Sequence, residues 1–167
     1  RNLETPEGQE IRPTPERARE ALFSILGNLV DAIVVDGFAG TGALGCEALS
    51  RGAALCYFID QRPKSIALIE ENLDRIDAAD QGIILEGDFE SSLPLIYDDP
   101  DLWLLDPPYN TGLGKSALEK MAESQAVTDD ALIVLELSTR EEVPEIEAFE
   151  VVDQRDYGKT RLVFYRA

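Results

Sequence analysis

Ile33-Val34-Val35-Asp36-Gly37-Phe38-Ala39-Gly40-Thr41-Gly42-Ala43-Leu44-Gly45 runs from an apolar segment through a glycine-rich turn into a helical pattern. The β-branched triplet reads as a short buried strand. The pattern from Ala43 to Arg51 reads as a helix stopped by Gly52. Strand, tight turn and helix in that order open a βαβ unit, because a parallel partner strand is reached only by a crossover.

The same alternation recurs on both sides of this stretch. Leu55-Cys56-Tyr57-Phe58-Ile59, Ile83-Ile84-Leu85, Leu102-Trp103-Leu104-Leu105 and the run from Ala131 to Leu137 read as strands. Helical patterns lie between them, from Pro63 to Ile76 with Ile66, Ile69 and Leu73 inward, and from Lys115 to Ser124. Upstream, a helix is expected over 15–28, with Thr14 as N-cap, Pro15 at its first position and an apolar stripe through Ala18, Leu22 and Ile25. Thr5-Pro6-Glu7-Gly8 reads as a turn. Near the other end, Val151 to Asp153 and Arg161 to Tyr165 have no helix between them. Joined across Asp156-Tyr157-Gly158-Lys159, they read as an antiparallel hairpin closing one edge. The expected fold is α/β: a Rossmann-like sheet of seven mostly parallel strands, covered on both faces and ending in that hairpin.

Composition narrows the chemistry. The 167 residues are expected to form one domain, since no repeat, linker or low-complexity tract interrupts them. No apolar run approaches the ~18 residues that span a bilayer. No signal-peptide pattern or Arg-rich leader is read, and the two cysteines, Cys46 and Cys56, fit core packing better than a disulfide or metal framework. A reducing cytoplasm is the expected compartment. The chain has no histidine, which excludes Ser-His-Asp and Cys-His catalysis and His-ligated zinc. Its formal net charge of -18, from 33 acidic and 15 basic residues, repels a phosphate backbone. Arg12, Arg17 and Arg19 read either as a local basic patch or as solvated helix residues.

Gly40-Thr41-Gly42-Ala43-Leu44-Gly45 matches G-x-G-x-x-G, which reads as a nucleotide-like ligand site or as a tight turn with a packing role only. Asp36 at the strand end divides the ligand classes. A carboxylate there repels a pyrophosphate but pairs with the ammonium of S-adenosylmethionine. Asp60 ends the second strand, where a carboxylate accepts from ribose hydroxyls. Asp88, with Phe89 beside it, follows the third strand and suits an adenine amine. Each aspartate alone also reads as a cap or turn residue. Together with Phe38, Ala39, Gly40 and Gly42 of the turn, they are the expected donor site, and no metal is expected.

Asp106-Pro107-Pro108-Tyr109 leaves the carboxyl end of Leu102–Leu105. One reading is a rigid turn. The other is a methyl-acceptor site. An exocyclic amine is a poor nucleophile because its lone pair is delocalised into the ring. Asp106 and the Pro107 carbonyl can accept its two N–H bonds and favour a pyramidal nitrogen, and Tyr109 can stack on the base. Positioning then does most of the work. The following Asn110-Thr111-Gly112-Leu113-Gly114 reads as a mobile lid or as a helix approach.

At these residues the chain resembles the RsmD-like family of bacterial small-subunit ribosomal RNA guanine-N2 methyltransferases. The resemblance is carried by Thr5–Gly8, Arg12-Pro13-Thr14, Arg17, Glu20–Phe23, Asp36–Gly45, Glu47–Gly52 and Asp106–Tyr109, nearly end to end. It implies a class I methyltransferase fold and methylation of guanine 966 of 16S ribosomal RNA in an assembled or assembling small subunit. It also implies that the first 30 residues pack near both pockets, with Arg12, Thr14 and Arg17 on the substrate side. A monomer is expected.

Three alternatives stand beside this reading. The same chemistry could act on a DNA amine or on a glutamine side chain of a protein. The fold could serve as a non-catalytic binding module. The literal G-x-G-x-x-G also admits an NAD-dependent oxidoreductase, which Asp36 disfavours.

Overall fold

A computed structural model of the protein describes residues 16–167. Its elements are α1 (Glu16–Leu26), β1 (Ile33–Asp36), α2 (Ala43–Ser50), β2 (Leu55–Asp60), α3 (Pro63–Arg75), β3 (Gly82–Glu86), α4 (Phe89–Ser92), β4 (Leu102–Leu105), α5 (Leu113–Glu123), β5 (Leu132–Ser138), β6 (Glu150–Tyr157) and β7 (Thr160–Arg166). The seven strands form one sheet in the order β3-β2-β1-β4-β5-β7-β6. β1 to β5 are parallel, and β7 lies antiparallel between β5 and β6.

The central strands read as unbroken apolar runs because both faces are covered. Successive residues leave on opposite sides. Val34 joins a cluster with Phe23 of α1, Leu49 of α2 and Leu73 of α3, whereas Val35 joins Leu118 and Met121 of α5 on the other face. Burying Phe58 and Leu104 stabilises by about 1.5–3 kcal/mol each. Cys46 and Cys56 are both fully buried. Among the described residues, no helix is long and apolar enough to cross a membrane.

Four findings depart from the sequence reading. β6 is longer than Val151–Asp153, because as an edge strand it is solvated and lacks a continuous apolar signal. The hairpin turn tightens to Gly158 and Lys159, with Tyr157 paired to Thr160 and Gly158 at φ 60°. The register also slips between Val151 and Asp153, leaving Val152 as a bulge. The short α4 was not expected, since four residues carry no helical period. The expected Thr5–Gly8 turn and the Thr14-Pro15 cap lie outside the described residues.

The strand ends are joined beyond the ladder itself. The Gly37 amide donates to the Leu104 carbonyl (2.9 Å), Ala39 to Ile59 (2.9 Å) and Gly87 to Asp60 (3.0 Å). These bonds hold the carboxyl ends of four strands as one rim.

Candidate active site

A cavity of about 580 Å³ opens over that rim. It lies where the strand order reverses between β1 and β4, the place where open α/β sheets receive ligands. The glycine turn and the Asp106–Tyr109 segment both line it, so the structure brings the two candidate regions to one site.

Close packing makes the glycine turn possible. A Cβ at Gly37 would stand 2.7 Å from Leu105 Cδ2 and 2.8 Å from Phe89 Cε1. Gly42 has φ 82°, caps the start of α2 and is not among the lining residues. A Cβ at Gly45 would collide with Phe58 and Cys56. The first glycine of the motif, Gly40, borders the cavity, while Gly42 and Gly45 serve the turn and the helix–sheet contact. Gly42, expected at the donor site from the sequence, stands between Thr41 and Ala43, which both line the cavity.

Asp36 is 1 % exposed, and its Oδ2 accepts from the Gly45 amide at 3.0 Å. Burial pushes its pKa up to about 7; the Gly45 bond opposes this and the nearby Asp60 charge adds to it. Such a carboxylate favours a cation beside it. Asp60 Oδ2 accepts from the Gly40 amide (2.8 Å), and Oδ1 accepts from the Arg62 amide (2.9 Å) and Nε (3.4 Å). Asp88 caps α4. The Ser91 hydroxyl, and then the Ser91 amide, hold its carboxyl below the usual range. Phe38 and Phe89 stack with centroids 5.5 Å apart and planes 5° from parallel, forming an apolar stretch of the wall. Ala39 and Thr41 line it as well.

Across the cavity, Asp106 and Tyr109 are half-buried, Pro107 is buried and Pro108 is exposed. The Tyr109 hydroxyl lies 3.1 Å from Thr160 Oγ1 and donates to Glu136 Oε2 at 3.4 Å. The segment after it is a hydrogen-bonded helix approach. Thr111 Oγ1 donates to the Pro108 carbonyl (2.8 Å), the Asn110 amide donates to Glu141 Oε1 (3.1 Å), and Gly112 caps α5 at φ 74°.

Arg12 and Thr14 lie outside the described residues. Arg17 is exposed on α1 and is not a lining residue; Arg19, two positions on, lines the cavity instead. Sequence reasoning also missed Arg62, Lys120 and Glu136. Glu136 had a visible signal, as the only charge within the apolar run from Ala131 to Leu137. Among the described residues, five carboxylates line the cavity, those of Asp36, Asp60, Asp88, Glu90 and Asp106, against the cations Arg19, Arg62 and Lys120. Arg62 and Lys120 pair with Asp60 and Glu90, so the interior suits a cationic ligand over a pyrophosphate.

Comparison with known proteins agrees with this geometry. The family model described as conserved hypothetical protein 95 matches residues 1–166. "Putative rRNA methyltransferase YlbH" of Bacillus subtilis is 32% identical over 99% of this chain and 93% of its own length. Ribosomal RNA small subunit methyltransferase D of Escherichia coli K12 is also 32% identical, over 89% of this chain and 75% of its own. The solved structure titled "Putative methyltransferase yhhF from Escherichia coli" superposes with a TM-score of 0.83 at 30% identity, covering 99% of this chain and 91% of that one.

Proposed function

The chain belongs to the conserved hypothetical protein 95 family, that of the RsmD-like methyltransferases, and on that premise we propose that it is a ribosomal RNA methyltransferase using S-adenosylmethionine. The observation that carries this reading is that the glycine turn and Asp106–Tyr109 wall one cavity. The acceptor in this reading is the exocyclic N2 amine of a guanine in 16S ribosomal RNA, met in an assembled or assembling small subunit. The chain works as one domain and as a monomer.

When bound, the donor supplies a methyl carbon activated by its sulfonium. The residues present fit such a group. Asp36, buried at the end of β1, takes the amino-acid ammonium. Asp60 accepts from the ribose hydroxyls with lone pairs left free by Gly40 and Arg62. Asp88 and the Phe38–Phe89 wall receive the adenine. Ala39 and the Gly40 backbone form the floor.

On the other side, Asp106 and the Pro107 carbonyl accept the two amine hydrogens and aim the nitrogen lone pair. Asp106 then receives or relays the proton that the methylated amine releases. Tyr109 orients the base, which must be unpaired or flipped out to reach it. Arg17, Arg12 and Thr14 belong to the substrate side of this reading, and Arg19 joins them.

The test is to incubate the full chain with labelled S-adenosylmethionine and unmodified small subunits, naked RNA, DNA or bulk protein, then map the modified base. Label on a guanine N2 of the small-subunit RNA is expected. Label on DNA or on glutamine would replace the acceptor while keeping the donor.

A further inference from the structure

Burying a carboxylate costs several kcal/mol unless it is hydrogen-bonded. Glu136 sits at 3 % exposure in the middle of β5, between Leu135 and Leu137, where another leucine would stabilise the sheet better. Its side of β5 carries Val134, and its register partner on β7 is Leu162. Two residues before Leu162, on the same face of β7, stands Thr160, itself 2 % exposed. Glu136 and Thr160 converge on one atom, the Tyr109 hydroxyl.

We propose that Glu136 and Thr160 form a tether that positions Tyr109 for the methyl acceptor, so that the C-terminal hairpin is part of the acceptor site. The tether is directional. The Tyr109 O–H donates to Glu136 Oε2, and the Tyr109 oxygen accepts from the Thr160 hydroxyl. With its hydroxyl engaged as donor and as acceptor, the ring cannot swing from the cavity without breaking a part-buried contact. The hydroxyl end of the ring is then set from strands remote in sequence, while Asp106 is set by β4. Glu141 reinforces the placement: its Oε1 accepts from the Asn110 amide (3.1 Å) and its Oε2 from the Ser138 amide at the end of β5 (2.8 Å). Glu136 and Thr160 are positioning residues, acting through Tyr109.

This inference rests on the function proposed above. It is tested by steady-state methyl transfer to unmodified small subunits, with calorimetry of S-adenosylhomocysteine and thermal melts as controls. Glu136→Leu, which removes the acceptor, and Thr160→Val are each expected to lower kcat about tenfold, since a misplacement of ~1 Å costs about 10²-fold. Glu136→Gln keeps an acceptor oxygen and should retain most of the rate. KM for the subunit and affinity for S-adenosylhomocysteine should stay within about twofold. Thr160→Ser should restore what Thr160→Val removes. Adding Thr160→Val to Tyr109→Phe should cost nothing beyond Tyr109→Phe alone, because the Thr160 hydroxyl then has nothing to hold. If Thr160→Val works at the wild-type rate, or its effect multiplies with that of Tyr109→Phe, the tether is overturned. Should Glu136→Leu not fold, Thr160→Val and Thr160→Ser carry the same comparison. A wild-type chain that transfers nothing to the subunit removes the proposed function, a result distinct from failure of the tether.

Discussion

On the glycine-turn side of the cavity, each carboxylate is tied to backbone nearby in sequence. Asp88 reaches Ser91, 3 residues on; Asp36 reaches Gly45, 9 residues on; Asp60 reaches Gly40, 20 residues back. On the Asp-Pro-Pro-Tyr side, Tyr109 is held by Glu136, 27 residues away, and Thr160, 51 residues away. The first side is assembled from consecutive strand ends and their own turns. The second is complete only when the C-terminal hairpin has docked beside β5. Non-local contacts of that kind form late, because loop closure precedes any gain from them. One half of the site is therefore built into the βαβ units themselves, and the other depends on the whole sheet.

The comparison can be broken at four points, taken from the largest expected effect. Asp106→Ala should lower kcat by about 10²–10³-fold while calorimetry with S-adenosylhomocysteine finds the donor affinity nearly unchanged. A matching loss of affinity would mean that the two sides are not separable.

The second point is Asp36. Its folded pKa, about 7, stands above the unfolded value of 3.8, so the folded chain binds more protons between these limits. Stability from this group is therefore present at low pH and declines as pH rises, levelling above about 7. Urea unfolding of the wild type and Asp36→Asn across that window should show the variant gaining a few kcal/mol relative to the wild type as pH rises. The other carboxylates cancel in the difference. A constant difference would place a compensating cation at Asp36.

Third, Gly45→Ala should cost about 1–3 kcal/mol in denaturant unfolding, because the new methyl overpacks against Phe58 and Cys56. It should do so with or without ligand, marking Gly45 as a packing residue. The smallest effect is expected at Lys120→Ala. Its ion pair with Glu90, 3.5 Å apart and largely solvated, should change thermal stability by less than about 1 kcal/mol.

The same division explains what could be read from the chain. β1, β2, β4 and β5 were visible because burial on both faces makes each an apolar run bounded by turn residues, and the part-exposed edge strand β3 was visible through its Ile83-Ile84-Leu85 triplet. Resemblance to the RsmD-like family rested on linear motifs, and the family match bears it out. The glycine motif was visible too, although Gly42 and Gly45 proved to serve the turn and packing. Glu136 stood out as a charge inside a predicted strand, but nothing in the local sequence tells a buried carboxylate which partner it will meet. Thr160 gained meaning only when the register of β7 on β5 was known. Arg19 rather than Arg17 faces the cavity because the phase of α1 decides it, and adjacent arginines look alike in one dimension.

The irregularity at Val152 carries a consequence of its own. Among the described residues, β6 is one of the two margins of the sheet, and an unpaired margin invites strand addition from a neighbour. The extra residue tilts the local donors and acceptors out of line, and Glu150, Asp153 and Arg155 place charges along the same margin. Two exposed valines can thus sit at the border of the molecule without offering a template for fibrous growth.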